Sequence, residues 1–414
     1  MKKQKLTPFL EKIHLALLDI ANEFNQYTVE THSLTSHWAY ALANNQPILH
    51  FGKNNLEDKL ILRLKKSGVF KSRNELKTNL LKEVPFKPSS ELNFKFIDLF
   101  SGIGGFRLAL QELNGFCALS SEWDKAAQMT YFNNYGELPF GDIKQFSSAL
   151  ISDSLLESYI PSHDILAAGF PCQPFSHAGV SARNAIGNKH GFECDTQGTL
   201  FFDIMRIVSV KRPKVIFLEN VRNIETHDDK KTFSIIKDKI NSLGYTFNSK
   251  VIDSSSVVPQ RRLRCYMVCF RNDLNVNYSF PDFPSSSIPL ESILQKNSDI
   301  TLRYTISDRL WEGHKRRTLR NLERGTGFTA FLADLRKPSN TLVARYGKDG
   351  KECLIPQSNS NPRMLTPREC ARLQGYPENF KIPSAKTVAY RQFGNSVTVP
   401  VVTKIAKSIL KHIH

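Results

Sequence analysis

Apolar residues in the middle of this chain follow two alternating patterns. Five short apolar runs are typical of strands: Phe96–Phe100, Phe116–Ser120, Asp164–Ala168, Val215–Glu219 and Arg264–Phe270. Between them, apolar residues recur at helical spacing over Phe106–Leu113, Lys125–Asn133, Leu200–Val210 and Phe233–Leu243. Strands that alternate with helices indicate a doubly wound sheet whose strands are largely parallel. We therefore predict an α/β fold for this part of the chain.

The chain on either side of this core follows other patterns. Within residues 1–90, apolar residues at helical spacing predict one helix near the N-terminus and another over Leu56–Leu64, and Phe86–Ser90 is typical of a linker. These residues form either a helix-turn-helix DNA reader or a plain helical extension, and no convincing turn with a recognition helix is present. From Phe280 to Pro362 the periodicity fades, which predicts a smaller, irregular domain. A capping box at Thr366–Glu369 and an apolar stripe near the C-terminus predict two further helices.

The charge of the chain favours a polyanionic partner. There are 56 Lys+Arg residues against 39 Asp+Glu, a formal net charge of +17. Such an excess points to nucleic acid before membrane. No apolar run is long enough to span a bilayer, and the basic N-terminus is not followed by the apolar segment and cleavage site of a signal peptide. We therefore expect a cytoplasmic protein with no membrane partner.

One of the seven cysteines has unusual neighbours. The odd count and the absence of a CxxC pair match neither a disulfide framework nor a zinc template, so we expect reduced thiols and no metal site. Cys172 lies between Pro171 and Pro174, directly after a strand-like run. The prolines hold this thiol rigidly at a strand end, where many α/β enzymes do their chemistry. A buried cysteine in a turn is the alternative interpretation.

Other candidate residues also follow predicted strands. The glycine-rich turn Ser101–Phe106 lets the backbone approach a ligand closely, although an ordinary tight turn explains it too, and its spacing makes a dinucleotide fingerprint a weak alternative. Glu122 is placed to bind ribose hydroxyls, Trp123 could stack on a flat base, and Asp142 could accept from an exocyclic amine. Taken singly, each of these three is also explained by core packing or by contact with solvent.

Two further segments carry charge beside apolar strands. Glu219 follows four apolar residues and is either an ion-pair partner or a general acid held by burial. The alternating arginines of Gln260–Arg264 could clamp a phosphate or steer a carboxylate, or they could form a solvated basic turn. These residues alone leave both choices open.

In this order, the segments resemble the C5-cytosine DNA methyltransferase family from about Phe94 to Ile409. The motifs that carry the resemblance are FIDLFSGIGG, SEW, GDI, GFPCQPFS, ENV, QRRLR, RMLTPRECARLQGYP and QFGNSV, and all stand complete and in the family's order. The resemblance implies a Rossmann-like class I methyltransferase domain with a smaller target-recognition domain. It also implies S-adenosylmethionine as the methyl donor, S-adenosylhomocysteine as its product, and double-stranded DNA as the substrate.

The resemblance implies a role for each matching residue. Cys172 matches the nucleophile that attacks cytosine C6, Glu219 the acid that pairs with N3 and the amino group, and Arg262 and Arg264 the arginines that hold the base and the catalytic groups. The residues that match the cofactor pocket are Phe100, Ile103, Gly105, Glu122, Trp123, Asp142, Ile143, Pro171, Leu200, Asn395 and Ser396. The residues expected to contact DNA, from which the cytosine must be flipped out, are Gln173, Ser176, Arg183, Lys189, Arg303, Arg316, Arg345 and Lys348.

The resemblance, together with the patterns above, divides the chain into four segments. We expect a helical extension over residues 1–90, the catalytic domain over 91–272, the target-recognition domain over 273–361, and a return to the catalytic domain over 362–414. In the family, the variable region sets the DNA site, and no residue code makes that site readable here. Its Arg303–Lys348 portion holds eleven Lys/Arg against four Asp/Glu, as expected for contact with phosphates.

Three hypotheses about function follow. The first is a sequence-specific DNA methyltransferase of a bacterial restriction–modification pair, which we expect to be monomeric, nucleoid-associated and not stably bound to its endonuclease. The second is an RNA methyltransferase on the same scaffold, because one branch of the family modifies tRNA. The long basic variable region and the N-terminal segment favour DNA. The third is a DNA-binding regulator that acts through residues 1–90, which is compatible with catalysis.

Overall fold

Contacts divide the chain into two compact units. The computed structural model describes residues 6–23, 30–48, 55–148, 151–171, 200–296, 300, 302–325, 330 and 332–413. The first unit comprises Met1–Lys250, Cys265–Ser279 and Ile409–His414, and the second comprises Val251–Arg264 and Phe280–Ser408. The boundaries of the four predicted segments stay predictions.

The chain contains a six-stranded sheet, most of which belongs to the first unit. Its strands are β1 (Phe94–Leu99), β2 (Gly115–Ser121), β3 (Ile165–Gly169), β4 (Val215–Val221), β5 (Asn248–Asp253) and β6 (Leu263–Phe270). Their order is β2-β1-β3-β4-β6-β5, and β1 pairs in parallel with both β2 and β3, as β3 does with β4. This arrangement confirms the predicted α/β fold. The sequence pattern did not reveal β5, because its polar residues are mostly half-buried and form no apolar run.

The helices up to residue 250 include each helix that the sequence periodicity predicts in this part of the chain. They are α1 (Pro8–Glu23), α2 (Thr31–Ala43), α3 (Leu56–Lys66), α4 (Arg73–Leu80), α5 (Gly105–Glu112), α6 (Lys125–Tyr135), α7 (Lys144–Ser147), α8 (Asp153–Tyr159), α9 (Leu200–Lys211) and α10 (Lys231–Ser242). Helix α2 was not predicted from the sequence. Every residue from Ser33 to Ala43 is buried, so this helix has no polar face and shows no amphipathic period.

A buried charge joins α2 to α5 and α6. The side chain of Arg107 in α5 is fully buried and donates from Nη1 to Glu137 at 2.6 Å and to the Tyr131 hydroxyl at 3.0 Å. Its Nη2 donates to the Tyr40 hydroxyl of α2 at 2.6 Å, and His37 Nδ1 lies 3.4 Å from Glu137 Oε1. A buried guanidinium is tolerated only when such partners surround it. Helix α2 therefore completes the core of the first unit.

The remaining elements follow residue 280. They are α11 (Asp308–Glu323), β7 (Leu354–Ile355), β8 (Arg363–Met364), α12 (Pro367–Leu373), α13 (Lys386–Asn395) and α14 (Val399–Leu410). The capping box at the start of α12 is present as predicted, with Thr366 and Glu369 bonding each other's backbone amides. The structure has a helix, α11, where the sequence predicts an irregular segment. This helix was not predicted because only its His314 is buried and no apolar stripe marks it. Within the described residues, no helix is long and apolar enough to cross a membrane.

Candidate active site

The strand order brings several predicted site residues to one edge of the sheet. The chain runs outward from β1 to β2 on one side and to β3 on the other, so the sheet has a topological switch point between β1 and β3. In parallel sheets, ligands bind beyond the carboxyl ends of the strands at such a point. The residues that follow these ends in the first unit include Phe100, Glu122 and Pro171. They therefore lie where a ligand is expected.

The turn between β1 and α5 has an unusual backbone. Phe100, Gly102 and Gly104 all have positive φ angles, of 55°, 56° and 85°. The Gly102 amide donates to Glu122 Oε2 at 2.7 Å, and the hydroxyl of Tyr135 donates to the Gly104 carbonyl at 2.7 Å. These bonds hold the turn against the N-terminus of α5, whose amides favour a polar or anionic ligand group.

Glycine at position 104 is required by its neighbours. A Cβ there would lie 2.3 Å from the Tyr135 ring, whereas a Cβ at Gly102 would enter open space. We expect Gly104→Ala to lower the free energy of unfolding by about 2–4 kcal/mol, from overpacking and left-handed backbone strain together. Gly102→Ala, the matched control, carries the strain alone and should cost about 1 kcal/mol. Urea unfolding measures both, and equal losses would contradict the steric argument.

Glu122 connects the ends of β1 and β2. It is 9% exposed, and its Oε1 accepts from the Asp124 amide at 2.8 Å while Oε2 accepts from Gly102. Burial raises the pKa of the Glu122 carboxyl. A carboxylate has about four acceptor positions, so Glu122 can also accept a hydrogen bond from a ligand hydroxyl. This geometry suits the ribose contact that the sequence predicts.

A flat apolar surface lies beside this carboxylate in the chain. The side chain of Trp123 is 79% exposed, although indole is among the most hydrophobic groups. The segment around Asp142 is attached to the end of β2 by the Glu122 amide, which donates to the Phe140 carbonyl at 2.8 Å, and by Ser121 Oγ, which donates to Gly141 at 2.7 Å. Asp142 is exposed as well. An exposed indole and an exposed acceptor fit a purine ring with an amino group.

Two side chains that the sequence did not predict to take part support the segment around Asp142. Ser147 Oγ in α7 donates to Asp203 Oδ1 in α9 at 2.7 Å, and burial raises the pKa of Asp203. Arg206 Nη1 in the same helix donates to the Ser147 carbonyl at 2.9 Å. These contacts fix the helix that begins directly after Asp142 and Ile143. No local motif marks them, because the partners are more than fifty residues apart.

The end of β4 lies beside the end of β3. Glu219 on β4 is paired in register with Gly169 on β3, and Gly169 lies three residues before Cys172 in the sequence. Glu219 is 8% exposed. Asn220 Nδ2 donates to the Phe170 carbonyl at 3.0 Å. The predicted acid therefore lies next to the strand end that leads to the predicted nucleophile. Asn220, for which the sequence predicted no role, fixes this strand end.

Several predicted residues lie outside the described part of the chain. They are Cys172, Gln173, Ser176, Arg183 and Lys189. Leu200, the first residue of α9, is half-buried, and Pro171 is exposed. The roles of all these residues stay predictions.

The five cysteines that the structure describes are poor candidates for a nucleophile. All are buried free thiols: Cys117, Cys265, Cys269, Cys353 and Cys370. Burial raises the pKa of the Cys117, Cys269 and Cys370 thiols well above the usual range, and that of Cys353 to about 12. A thiol that stays protonated at neutral pH does not attack an electrophile. Cys172 and Cys194 are the remaining cysteines.

Arg262 organises backbone in the second unit. It is 3% exposed, and its guanidinium donates to the carbonyls of Leu342 at 2.9 Å, Ser396 at 2.8 Å and Gly394 at 3.3 Å. Asn395 is exposed between the last two. Through these three hydrogen bonds, Arg262 holds the loop around Asn395 and Ser396 in place.

Neighbouring residues give this loop further support. Ser396 Oγ lies 2.7 Å from the Tyr376 hydroxyl, so its hydroxyl is held inside the unit. At Gly394 a Cβ would meet the Val343 backbone at 2.3 Å, which explains the glycine. Arg264 is half-buried and donates from Nη1 to the Leu263 carbonyl at 2.8 Å.

The predicted DNA contacts of the second unit all lie at its surface. Arg303, Arg316, Arg345 and Lys348 are exposed. The Arg303 guanidinium lies over the ring of its neighbour Tyr304, 5.0 Å from the centroid. Arg316 lies on α11, and Arg345 and Lys348 flank one short turn. Their exposure leaves all four side chains accessible to a DNA phosphate.

The chain was compared with known protein families and sequences. A family model described as C-5 cytosine-specific DNA methylase matches residues 94–411. Type II methyltransferase M.SsoII of Shigella sonnei is 43% identical over 367 residues, which cover 87% of this chain and 92% of that protein. Type II methyltransferase M.HhaI of Haemophilus parahaemolyticus is 40% identical over 340 residues, which cover 79% and 97%.

Solved structures share the fold at low sequence identity. A Spodoptera frugiperda DNMT2 variant superposes with a TM-score of 0.59 at 18% identity, over 77% of this chain and all of that one. An Entamoeba histolytica methyltransferase superposes with a TM-score of 0.58 at 19% identity, over 79% of this chain. These similarities confirm the Rossmann-like α/β fold.

Proposed function

Because the chain belongs to the C-5 cytosine-specific DNA methylase family, we propose that Cys172 and Glu219 carry out its sequence-specific methylation of cytosine C5 in DNA. The observation that supports this assignment most directly is the register of β3 and β4. Glu219 lies opposite Gly169, at the strand end from which the chain leads to Cys172. An acid and a nucleophile from neighbouring strand ends can then act on one base.

The chemistry needs both groups, because C5 of cytosine is a weak nucleophile. The Cys172 thiolate adds to C6, and the electron pair of the C5–C6 double bond becomes available at C5. After C5 has taken up the methyl group, the proton on C5 passes to solvent water. The electron pair of that C–H bond restores the double bond, and the Cys172 thiolate is expelled. Atoms and charge balance over the two steps, and the enzyme is regenerated.

Glu219 removes charge from the ring as the adduct forms. Its carboxyl donates a proton, or a hydrogen bond, to N3 and accepts from the exocyclic amino group. Burial favours the neutral form of a carboxyl group that is needed as an acid. Asn220 supports this arrangement, since it ties the end of β4 to the Phe170 carbonyl.

The residues at the carboxyl ends of β1 and β2 fit S-adenosylmethionine. When bound, this cofactor supplies an electrophilic methyl group. Glu122 would hold the ribose, while Trp123 and Asp142 would hold the adenine, and the amides at the start of α5 would face the polar end of the ligand. The exposed indole and the strained glycine turn are the features of this structure that agree with such a ligand.

The second unit supplies the remaining predicted contacts. Arg262 acts in our proposal as a positioning residue, because its donors hold the loop of Asn395 and Ser396. Arg264 is assigned to the flipped base, and Arg303, Arg345 and Lys348 to DNA phosphates. A base inside a duplex cannot reach a buried site, so the target cytosine leaves the stack.

The biological setting is part of the proposal. Relatives such as M.SsoII and M.HhaI are named type II methyltransferases. By analogy, this enzyme protects bacterial DNA against an endonuclease of the same specificity, acts as a monomer at the nucleoid, and forms no stable complex with that endonuclease. A regulatory role for residues 1–90 is compatible with this activity.

The proposed function is tested by base-resolution mapping of 5-methylcytosine. The chain is expressed in cells without cytosine methylation, beside cells that carry the empty vector. We expect nearly complete methylation at one short motif and none in the vector control. Purified enzyme should likewise transfer methyl groups to duplex DNA and not to tRNA. Transfer to tRNA alone would replace the proposal with the RNA hypothesis.

A further inference from the structure

Helix α11 carries a line of arginines on its outer face. Arg309, Arg316 and Arg320 are exposed, whereas His314 is the one buried residue of the helix, with Nε2 3.0 Å from the Asp349 carbonyl. At about 100° per residue, the three arginines lie within about 40° of one another around the helix axis. His314 lies about 140° away from Arg309. We call these three residues the arginine line.

The arginine line differs from the other basic side chains of the helix. Lys315 Nζ lies 2.5 Å from Glu312 Oε1, and Arg317 Nη1 lies 3.6 Å from Asp349 Oδ2. Each of these two charges has a carboxylate partner within the unit. By contrast, no carboxylate in the described part of the chain lies within 4.0 Å of a guanidinium of the arginine line. Among the residues that the structure describes, none supplies a counterion to these three exposed charges.

The spacing of the line fits an extended polyanion. With a rise of about 1.5 Å per residue, the line is about 16 Å long, comparable to about five phosphates along one strand of a duplex. Each guanidinium presents a fork of donors that matches a phosphate. A single arginine can also bond to guanine O6 and N7, but a straight row of three like charges matches the regular row of phosphates along a strand. Its chemistry therefore fits the DNA backbone.

We propose that the arginine line binds the sugar-phosphate backbone of duplex DNA and holds the enzyme on DNA of any sequence. This inference rests on the proposed function, because DNA is its ligand. It adds Arg309 to the residues expected to contact DNA. For Arg316 and Arg320, which lie in a segment expected to contact bases or phosphates, it names the phosphate backbone as the partner.

The test is the salt dependence of DNA binding by the full chain. The variant Arg309→Gln/Arg316→Gln/Arg320→Gln is titrated with a duplex that carries the methylation site and with one that lacks it, at several salt concentrations. Each lost phosphate contact lowers the slope of log K against log salt by about 0.9, so we expect a decrease of about 2.7. Both duplexes should lose affinity by the same factor, and S-adenosylhomocysteine binding should be unchanged.

The matched control removes three charges that already have partners. The variant Lys315→Gln/Arg317→Gln/Arg336→Gln has the same net charge, and all three residues are ion-paired, Arg336 with Asp334 at 4.0 Å. We expect its slope to stay close to that of the unaltered enzyme. Equal decreases in both variants would reduce the effect to net charge and overturn the proposal.

Other outcomes separate this inference from the proposed function. If the unaltered enzyme methylates DNA but the arginine variant keeps its slope, the arginine line is not a DNA surface and the proposed function stands. A loss confined to the duplex with the site would make these residues base readers and also overturn the proposal. If the unaltered enzyme neither binds nor methylates DNA, both proposals fail together.

Discussion

Replacing Cys172 with serine should lower the rate of methyl transfer by at least about 10³-fold. A serine hydroxyl is almost never ionised at neutral pH, so the attack on C6 loses its nucleophile. DNA binding and S-adenosylhomocysteine binding should be retained, because the change is small and removes no charge contact that we assign. Single-turnover transfer to a duplex that carries the methylation site measures the rate.

A mechanism-based probe sharpens this test. In a duplex with 5-fluorocytosine at the target, the fluorine cannot leave as a proton does, so the covalent adduct should accumulate with the unaltered enzyme and be absent with Cys172→Ser. Cys353→Ala is the matched control, because burial raises the pKa of that thiol to about 12 and it supplies no thiolate. Adduct formation by the serine variant would show that another residue is the nucleophile.

Replacing Glu219 with glutamine should slow adduct formation by about 10²–10⁴-fold, the usual contribution of a general acid. Glutamine has nearly the same shape and can still bond to the base, but it cannot supply a proton. Affinity for the cofactor product should hardly change, since our assignment places Glu219 at the base. The 5-fluorocytosine adduct, followed in time, separates the addition to C6 and the methyl transfer from the later loss of the group on C5.

The control for Glu219 lies on the turn that follows β4. Glu225 is half-buried, and the Cys265 thiol lies 3.7 Å from its carboxylate. Glu225→Gln removes a carboxylate from the same part of the first unit and should leave adduct formation unchanged. If Glu219→Gln weakened cofactor binding alone, the acid assignment would be wrong.

Local patterns in the sequence predicted most elements of the sheet and the order of the motifs. Each strand from β1 to β4 contains a run of apolar residues, and in the helices between them the apolar residues recur at helical spacing. Both patterns depend only on residues that are close together in the sequence. The glycine turn after β1 was predicted for the same reason, because positive φ angles select glycine locally. The elements that were missed had no such signal: α2 is buried along most of its length, and α11 hardly at all.

Contacts between distant residues were decided by the tertiary structure alone. The parallel register of β3 and β4 places Glu219 opposite Gly169, fifty residues earlier in the chain. Packing of α9 against α7 joins Asp203 to Ser147, and Arg262 holds carbonyls more than seventy residues away. Periodicity reports which face of an element is apolar, but it does not report which element covers that face. The sequence by itself therefore determined the elements and the candidate chemistry, and packing decided which side chains support each other.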